Sequence, residues 1–112
     1  MQKRKAIRSK AIKDAANGEA CTICGENNGT IVFCHLNESF AGKGMGQKAD
    51  DIAGFFGCHI CHMVYDGRGK KLLPHSNYVI TGHSDGTIMR AMYRTWRRLI
   101  EKVIITIKDY EA

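Results

Sequence analysis

The pattern of apolar and charged positions at the amino end predicts a helix over residues 3–16. Charged side chains there alternate with small or aliphatic ones at roughly helical spacing: Ala6, Ile7, Ala11, Ile12, Ala15 and Ala16. The pattern is weakly amphipathic, because these apolar positions gather on one side of a helix. Glycine is the usual residue just beyond a helix, so Asn17-Gly18 predicts where this one ends.

Two short apolar runs predict strands on either side of a loop. Residues 30–36 are rich in β-branched and aromatic side chains, so they predict a strand that places His35 at its end. Residues 52–57 predict a second strand that leads directly into Cys58. Between the two strands, residues 40–51 carry spaced glycines among charged side chains and predict a loop.

A short helix is predicted to begin at Cys61 and to carry His62 and Asp66 before residues 67–69 break it. Positions four apart lie on the same face of a helix, so the histidine and the aspartate face the same way. Residues 78–80 then predict a brief strand.

The longest predicted helix begins at Ser84 or Thr87, either of which can cap it. Its predicted apolar stripe consists of Met89, Met92, Tyr93, Trp96, Leu99, Ile100 and Val103. Residues 104–107 fit either a continuation of this helix or a strand. Strands and helices in this order predict an α+β fold.

Four cysteines in two matched pairs predict a zinc site. Cys21 and Cys24 form the first pair, and Cys58 and Cys61 form the second, so each pair has the Cys-x-x-Cys spacing of a zinc knuckle. Four thiolates at about 2.3 Å satisfy a tetrahedral zinc ion and leave no coordination position open. We therefore expect a structural Zn²⁺ that holds the fold, with any catalysis carried out by residues that it positions.

Length and composition predict a single soluble domain over residues 1–112. The longest apolar runs are too short to span a bilayer, and residues 1–13 are basic without the apolar stretch of a secretory signal. Five cysteines fit metal binding in a reducing compartment better than a disulfide framework, which would leave one thiol unpaired. We therefore expect a cytoplasmic protein with no membrane segment.

Positive charge is concentrated in two places. Six of the 17 Lys and Arg residues precede the first acid, Asp14, and the formal net charge is +6. Four arginines share one face of the long helix: Arg90, Arg94, Arg97 and Arg98. Either cluster alone is equally typical of a solvated face, but both together on a zinc domain favour DNA or RNA as a partner. The candidate nucleic-acid-binding residues are Arg4, Arg8, Lys48, Arg90, Arg94 and Arg97.

The order of motifs in the middle of the chain resembles that of the HNH endonucleases. It runs strand, His35, loop, Asp51, strand, Cys58-x-x-Cys61-His62 and then a helix with Asp66. More narrowly, Gly44-x-Gly46-x-Lys48-x-x-Asp51 before this knuckle is similar to the small prophage-encoded nucleases of the YbcO type. The resemblance implies a zinc-braced ββα-metal finger flanked by an N-terminal helix and a long C-terminal helix. It also implies a DNA endonuclease encoded by a phage or prophage.

The residues of this stretch suit phosphodiester hydrolysis, in which a base activates water and a cation stabilises the developing charge. His35 is the candidate general base, because a neutral imidazole accepts a proton near physiological pH. Asp51 stands closest to the family's orienting asparagine and is expected to accept the imidazole proton. The resemblance implies that His62 is also a catalytic residue. It would hold Mg²⁺ or another divalent cation, with Asp66 as a further ligand.

Cys34 departs from the family pattern, which places a metal-binding acid or histidine just before the base. A thiolate suits zinc or nickel better than magnesium. Free cysteine is among the most buried residue types, so we interpret Cys34 as a buried strand residue. His62 has a second interpretation too, as a zinc ligand that competes with Cys24 or Cys61.

Two other functions fit the same sequence. One is a non-catalytic zinc module that binds nucleic acid or another protein, and both Cys34 and Asp51 favour it because they depart from the nuclease pattern. The other is a zinc ribbon used only for protein assembly, which leaves the two basic clusters without a purpose.

Overall fold

The computed structural model describes residues 5–38, 41–42, 48–67, 71–72, 79–80 and 82–110. The elements run in the order α1 (Lys10–Asp14), β1 (Val32–His35), β2 (Gly54–Gly57), α2 (His59–Tyr65), β3 (Lys71–Leu72), β4 (Val79–Ile80) and α3 (Asp85–Glu101). Helices and two antiparallel strand pairs, β1 with β2 and β3 with β4, confirm the predicted α+β class. No helix in these ranges combines the length and the apolar character that crossing a bilayer requires.

Helix α1 begins at Lys10, so the prediction of helix from residue 3 is wrong for the described residues 5–9. Ser9 has an extended backbone, with φ −148°, and its hydroxyl accepts a hydrogen bond from the Ile12 N–H at 3.3 Å. This is an N-cap, which starts a helix. Turns follow α1, and Gly18 adopts φ +80° close to the predicted end.

Strands β1 and β2 form the sheet that carries the candidate base. They pair antiparallel, with Val32 opposite Gly57 and His35 opposite Gly54. All four residues of β2 are buried. A Cβ at Gly54 would lie 2.3 Å from the Cys34 carbonyl oxygen, so only glycine fits opposite His35. Both predicted strands are confirmed, each two or three residues shorter than expected.

Helix α2 begins at His59, two residues before the predicted start. The Cys58 side chain caps it by accepting a hydrogen bond from the Cys61 N–H at 3.4 Å. The helix ends at Tyr65, with Asp66 as its C-cap. Beyond it, β3 and β4 form a short antiparallel pair, which confirms the predicted strand at residues 79–80, whereas residue 78 lies outside the described residues.

Helix α3 packs against β2 with only part of the predicted stripe: Leu99 is buried, and Met92, Trp96 and Ile100 are half-buried. Its buried residues are Ile88, Ala91, Thr95 and Leu99, whereas the predicted Met89 and Tyr93 are 69% and 62% exposed. Thr95 lies on the buried side of the helix, where its hydroxyl accepts a hydrogen bond from the Phe56 N–H of β2 at 2.9 Å. Burying that hydroxyl satisfies a backbone donor that would otherwise lose its partner in the core.

The start and end of α3 also resolve two open points. Ser84 rather than Thr87 is the N-cap, and its hydroxyl accepts a hydrogen bond from the Thr87 N–H at 3.2 Å. Residues 104–107 form neither helix nor strand. The backbone N–H groups of Ile104 and Ile105 both donate to the Leu99 carbonyl, at 2.9 and 3.2 Å, which turns the chain back against the end of the helix.

Candidate metal centre and active site

The four predicted zinc ligands lie together. The sulfur atoms of Cys21, Cys24, Cys58 and Cys61 are all within 4.8 Å of one another. Those of Cys24 and Cys58 are 3.7 Å apart. Tetrahedral bonds of about 2.3 Å place two sulfur ligands of a zinc ion about 3.8 Å apart. The cluster therefore fits a metal ion such as zinc, which confirms this part of the sequence prediction.

Both knuckles have the same local geometry. The Cys24 N–H points to the Cys21 sulfur at 3.5 Å, and the Cys61 N–H points to the Cys58 sulfur at 3.4 Å. Such N–H contacts stabilise negative charge on sulfur, as a metal-bound thiolate requires. Cys24 is exposed and the other three cysteines of the cluster are buried, so the site lies at the edge of the core.

The thiols influence one another strongly. A hydrogen bond from Cys61 lowers the pKa of the Cys21 thiol to about 4, and the same contact together with burial raises the pKa of Cys61. Burial also raises the pKa of Cys58. Metal binding must therefore displace protons from these groups, so the affinity of the cluster for a cation decreases in acid.

His35 and Asp51 are in direct contact, with 2.8 Å between the imidazole Nε2 and the carboxylate Oδ1. The Asp51 side chain is 2% exposed and that of His35 is 18% exposed. The ring of Phe33 packs edge-on against the imidazole at a centroid distance of 5.1 Å. A neutral His35 donates the Nε2 hydrogen to the carboxylate, which leaves Nδ1 as the nitrogen able to accept a proton.

The Asp51 carboxylate remains ionised although it is buried. Burial acts to raise its pKa, but hydrogen bonds from His35 and from the Ser9 N–H, helped by the charge of Lys13, outweigh burial and lower the pKa. The Ser9 contact measures 2.7 Å to Oδ2, so each carboxylate oxygen has a partner. Asp51 therefore carries a negative charge at neutral pH next to the imidazole.

His62 and Asp66 form a second pair at the end of α2, with 3.3 Å between Nε2 and Oδ2. Their side chains are 34% and 20% exposed, so both are partly accessible to solvent. Asn37, two residues beyond His35, donates its side-chain N–H to Asp66 Oδ1 at 2.9 Å, and its backbone N–H donates to the Tyr65 hydroxyl at 2.9 Å. The end of β1 is thereby fastened to the end of α2.

The sequence did not predict the contacts of Asn37. The one feature that could have pointed to them is its position just after the strand that carries His35. His62 has a different neighbour from the sulfur ligands. It faces Asp66 and lies outside the sulfur cluster. Within the described ranges, that cluster is the only group of three or more potential metal ligands, so His62 and Asp66 form a two-residue pair.

Cys34 is buried in β1, as expected, with a side chain that solvent does not reach. Burial raises the pKa of its thiol to about 12, so the group is protonated at neutral pH. A Cβ at Gly57 would lie 2.8 Å from its sulfur, which shows how closely the opposite strand packs against it. Cys34 is therefore a core residue, and it lies outside the sulfur cluster.

The candidate nucleic-acid-binding residues have different surroundings. Arg8 donates to the carbonyl oxygens of Ala49 and Lys48, at 2.8 and 3.1 Å. Arg94 donates to the Thr22 carbonyl at 2.8 Å. All five described residues of the set are exposed: Arg8, Lys48, Arg90, Arg94 and Arg97. Arg4, like Gly44 and Gly46 of the motif, lies outside the described residues.

The family model described as Putative nuclease YbcO matches residues 10–101, which is most of the chain. Neither the curated proteins nor the solved structures give a match. The matched residues contain both knuckles, the His35–Asp51 pair and the His62–Asp66 pair.

Proposed function

Because the chain belongs to the family described as Putative nuclease YbcO, we propose that it is a metal-dependent endonuclease of the HNH type that hydrolyses phosphodiester bonds of DNA. The family name supports a nuclease in general. The observation that carries the finer proposal is the 2.8 Å contact between His35 Nε2 and the buried carboxylate of Asp51. The order β1, β2, α2 next to the sulfur cluster supports the HNH assignment. We propose that residues 1–112 form one domain.

In the proposed reaction, His35 is the general base. Its Nδ1 accepts a proton from water as the water oxygen attacks the phosphorus and the bond from phosphorus to the leaving oxygen breaks, while Nε2 remains hydrogen bonded to Asp51. The ionised carboxylate stabilises the imidazolium that forms. It also fixes the ring in the tautomer that presents the lone pair to water.

We propose that His62 and Asp66 hold the catalytic cation. Magnesium is typically bound through one or two protein ligands together with water and substrate phosphate, so a two-residue pair is sufficient. The cation would neutralise charge on the scissile phosphate and on the leaving oxygen. The hydrogen bond from Asn37 to Oδ1 restrains the Asp66 carboxylate.

The exposed basic side chains are proposed to contact the DNA backbone. Lys48 precedes the Asp51 segment, and Arg90 and Arg97 lie on the exposed side of α3. Contacts of this kind release counterions, so binding is expected to weaken steeply with salt and to depend little on base sequence.

One observation favours a second candidate, a non-catalytic zinc module that binds nucleic acid. The described residues contain a single group of three or more potential metal ligands, and that group is the sulfur cluster. In this alternative His62 and Asp66 form an ordinary helical pair and no cation is held there.

A cleavage assay separates the two candidates. The wild type is incubated with supercoiled, linear, single-stranded and branched DNA in the presence of Mg²⁺, Mn²⁺, Ni²⁺ or Zn²⁺. His35→Ala is expected to lower the rate by ~10²–10⁴ while zinc content and DNA affinity remain unchanged. His59→Ala is the matched control, because His59 is an exposed histidine of α2, and it should cut like the wild type.

His62→Ala tests the cation site in the same assay. Its rate should also decrease, but should recover in part at high divalent-ion concentration if the lost group held the cation. A wild type that cuts none of these DNAs with any metal, or a His35→Ala variant that cuts as fast as the wild type, would replace the nuclease by the binding module.

A further inference from the structure

We infer that Arg8 and the backbone N–H of Ser9 form a clamp that positions Asp51, and that Arg8 acts through this carboxylate on His35 rather than as a phosphate contact. The inference deepens the proposed function and rests on it, since it concerns the orientation of the same base. Residues 7–9 precede the family match over residues 10–101, so family membership assigns them no role.

The backbone on the amino-terminal side of α1 is fastened to two consecutive buried acids. The Ile7 N–H donates to Asp50 Oδ1 at 3.1 Å, and the Ser9 N–H donates to Asp51 Oδ2 at 2.7 Å. In return, the Asp51 N–H donates to the Ile7 carbonyl at 2.8 Å. Three hydrogen bonds thus join segments more than 40 positions apart in the sequence.

Arg8 lies between these two backbone donors in the sequence, and its guanidinium binds the backbone of residues 48–49. Its Nη1 donates to the Ala49 carbonyl at 2.8 Å, and its Nη2 donates to the Lys48 carbonyl at 3.1 Å. Nη1 also lies 3.7 Å from Asp51 Oδ1, the oxygen that meets His35. A planar guanidinium can grip two carbonyls at once, and an ammonium group cannot reproduce this geometry.

The clamp leaves Asp51 little freedom. One oxygen meets His35 and Arg8, the other meets Ser9, and the side chain is 2% exposed. The carboxylate therefore presents a fixed acceptor to Nε2, and this acceptor selects the tautomer of His35. The guanidinium donates to three carbonyl oxygens of the chain itself, those of Ile7, Ala49 and Lys48, while its side chain is 42% exposed.

The test compares Arg8→Ala and Arg8→Lys with Lys10→Ala in the full chain. Lys10 is an exposed residue whose side chain pairs with Asp14 on α1, so Lys10→Ala removes one positive charge without touching Asp51. For each variant, kcat, DNA affinity as a function of salt, and the tautomer of His35 by imidazole nitrogen NMR above pH 8 are measured. Zinc content and the melting curve report whether each variant folds.

Both Arg8 variants are expected to lose kcat by on the order of 10–100-fold, as small misplacements near a reacting group do. They should also show a mixture of His35 tautomers, whereas Lys10→Ala should keep the wild-type kcat and the Nε2–H tautomer. DNA affinity should change little in Arg8→Lys, which keeps the charge.

Three results decide the inference. If Arg8→Ala weakens DNA binding and reduces the salt slope by about one, while kcat and the tautomer stay unchanged and Arg8→Lys restores binding, Arg8 is a phosphate contact and the clamp is wrong. An unchanged tautomer in both Arg8 variants likewise overturns it. If the wild type cuts no DNA but the tautomer still changes, the clamp stands and the proposed nuclease fails.

Discussion

Arg98, in the last turn of α3, grips Glu19 from the opposite end of the sequence. Its Nε lies 2.7 Å from Oε1 and its Nη2 lies 2.9 Å from Oε2, and Lys102 adds a further contact at 2.9 Å. The Glu19 side chain is only 11% exposed. The hydrogen bonds from Arg98, assisted by Lys102, lower the pKa of Glu19 to about 2.

This contact predicts a stability effect that depends on pH. Because the folded-state pKa of Glu19 lies below its ordinary value of 4.5, its contribution to stability is fully present above about pH 4.5 and is lost as pH falls towards 2. Glu19→Gln should cost about 1–2 kcal/mol at neutral pH, a figure reduced for solvent screening because Arg98 is half exposed. Urea unfolding of both proteins across this pH range measures the difference.

Asp14→Asn is the matched control, because Asp14 pairs with Lys10 on an exposed part of α1. Exposed pairs of this spacing contribute about 0.3–0.5 kcal/mol. If Glu19→Gln costs no more than this control, or costs the same at pH 2.5 as at pH 7, the buried contact does not act as described.

The fifth cysteine provides an internal control for the metal cluster. Cys61→Ser should lose the metal and melt at a much lower temperature, because metal binding in such sites contributes on the order of 10 kcal/mol of folding free energy. Cys34→Ala should keep one zinc per chain, since Cys34 lies outside the cluster. Elemental analysis and melting curves with and without a chelator measure both effects. Zinc lost in Cys34→Ala, or retained in Cys61→Ser, contradicts the assignment.

Comparing variants of two neighbouring acids distinguishes a catalytic role from a structural one. Asp50 and Asp51 are equally buried and both accept a backbone N–H from residues 7–9, but only Asp51 contacts His35. Asp51→Asn should lower the cleavage rate by on the order of 10²–10⁴, because the amide presents a different partner to Nε2. Asp50→Asn should lower it far less at similar stability. Equal losses in the two variants would mean that the carboxylates serve only to hold the amino-terminal segment.

We expect Gly54→Ala, which adds a single carbon atom, to reduce the stability of the fold strongly. In Gly54→Ala, the new Cβ would lie 2.3 Å from the Cys34 carbonyl oxygen and 2.6 Å from the Phe33 ring. The strands must separate, so we expect a loss of about 3 kcal/mol or more. Gly82→Ala is the control, because nothing lies within 4 Å of its added Cβ. Comparable chemical unfolding curves for the two variants would show that β1 and β2 adapt easily.

Local sequence patterns were sufficient for the parts of this molecule that local chemistry determines. The two Cys-x-x-Cys pairs predict the metal cluster because each pair forms a local turn, in which the N–H of the second cysteine points to the sulfur of the first. His35 could be placed at a strand end because β-branched and aromatic residues precede it. The burial of Cys34 also followed from the residue type alone.

The errors arose where a distant partner decides the conformation. Charge alternation suggested helix from residue 3, but the carboxylates of Asp50 and Asp51 hold residues 7–9 in a non-helical form. The stripe on α3 included the buried Leu99 but missed Thr95, because a threonine is not expected in a core unless its hydrogen-bond partner, here on β2, is known.

The sulfur cluster also bears on how quickly the chain reaches this arrangement. Cys24 and Cys58 are 34 residues apart, and the segment between them contains β1, β2 and both members of the His35–Asp51 pair. Closing a flexible loop of this length costs about 3 kcal/mol of chain entropy. A cation that joins the knuckles early in folding closes this loop and so reduces the number of conformations available to the two strands before they pair. Zinc supplied before refolding should therefore shorten the search, whereas zinc supplied afterwards can only stabilise what has already formed.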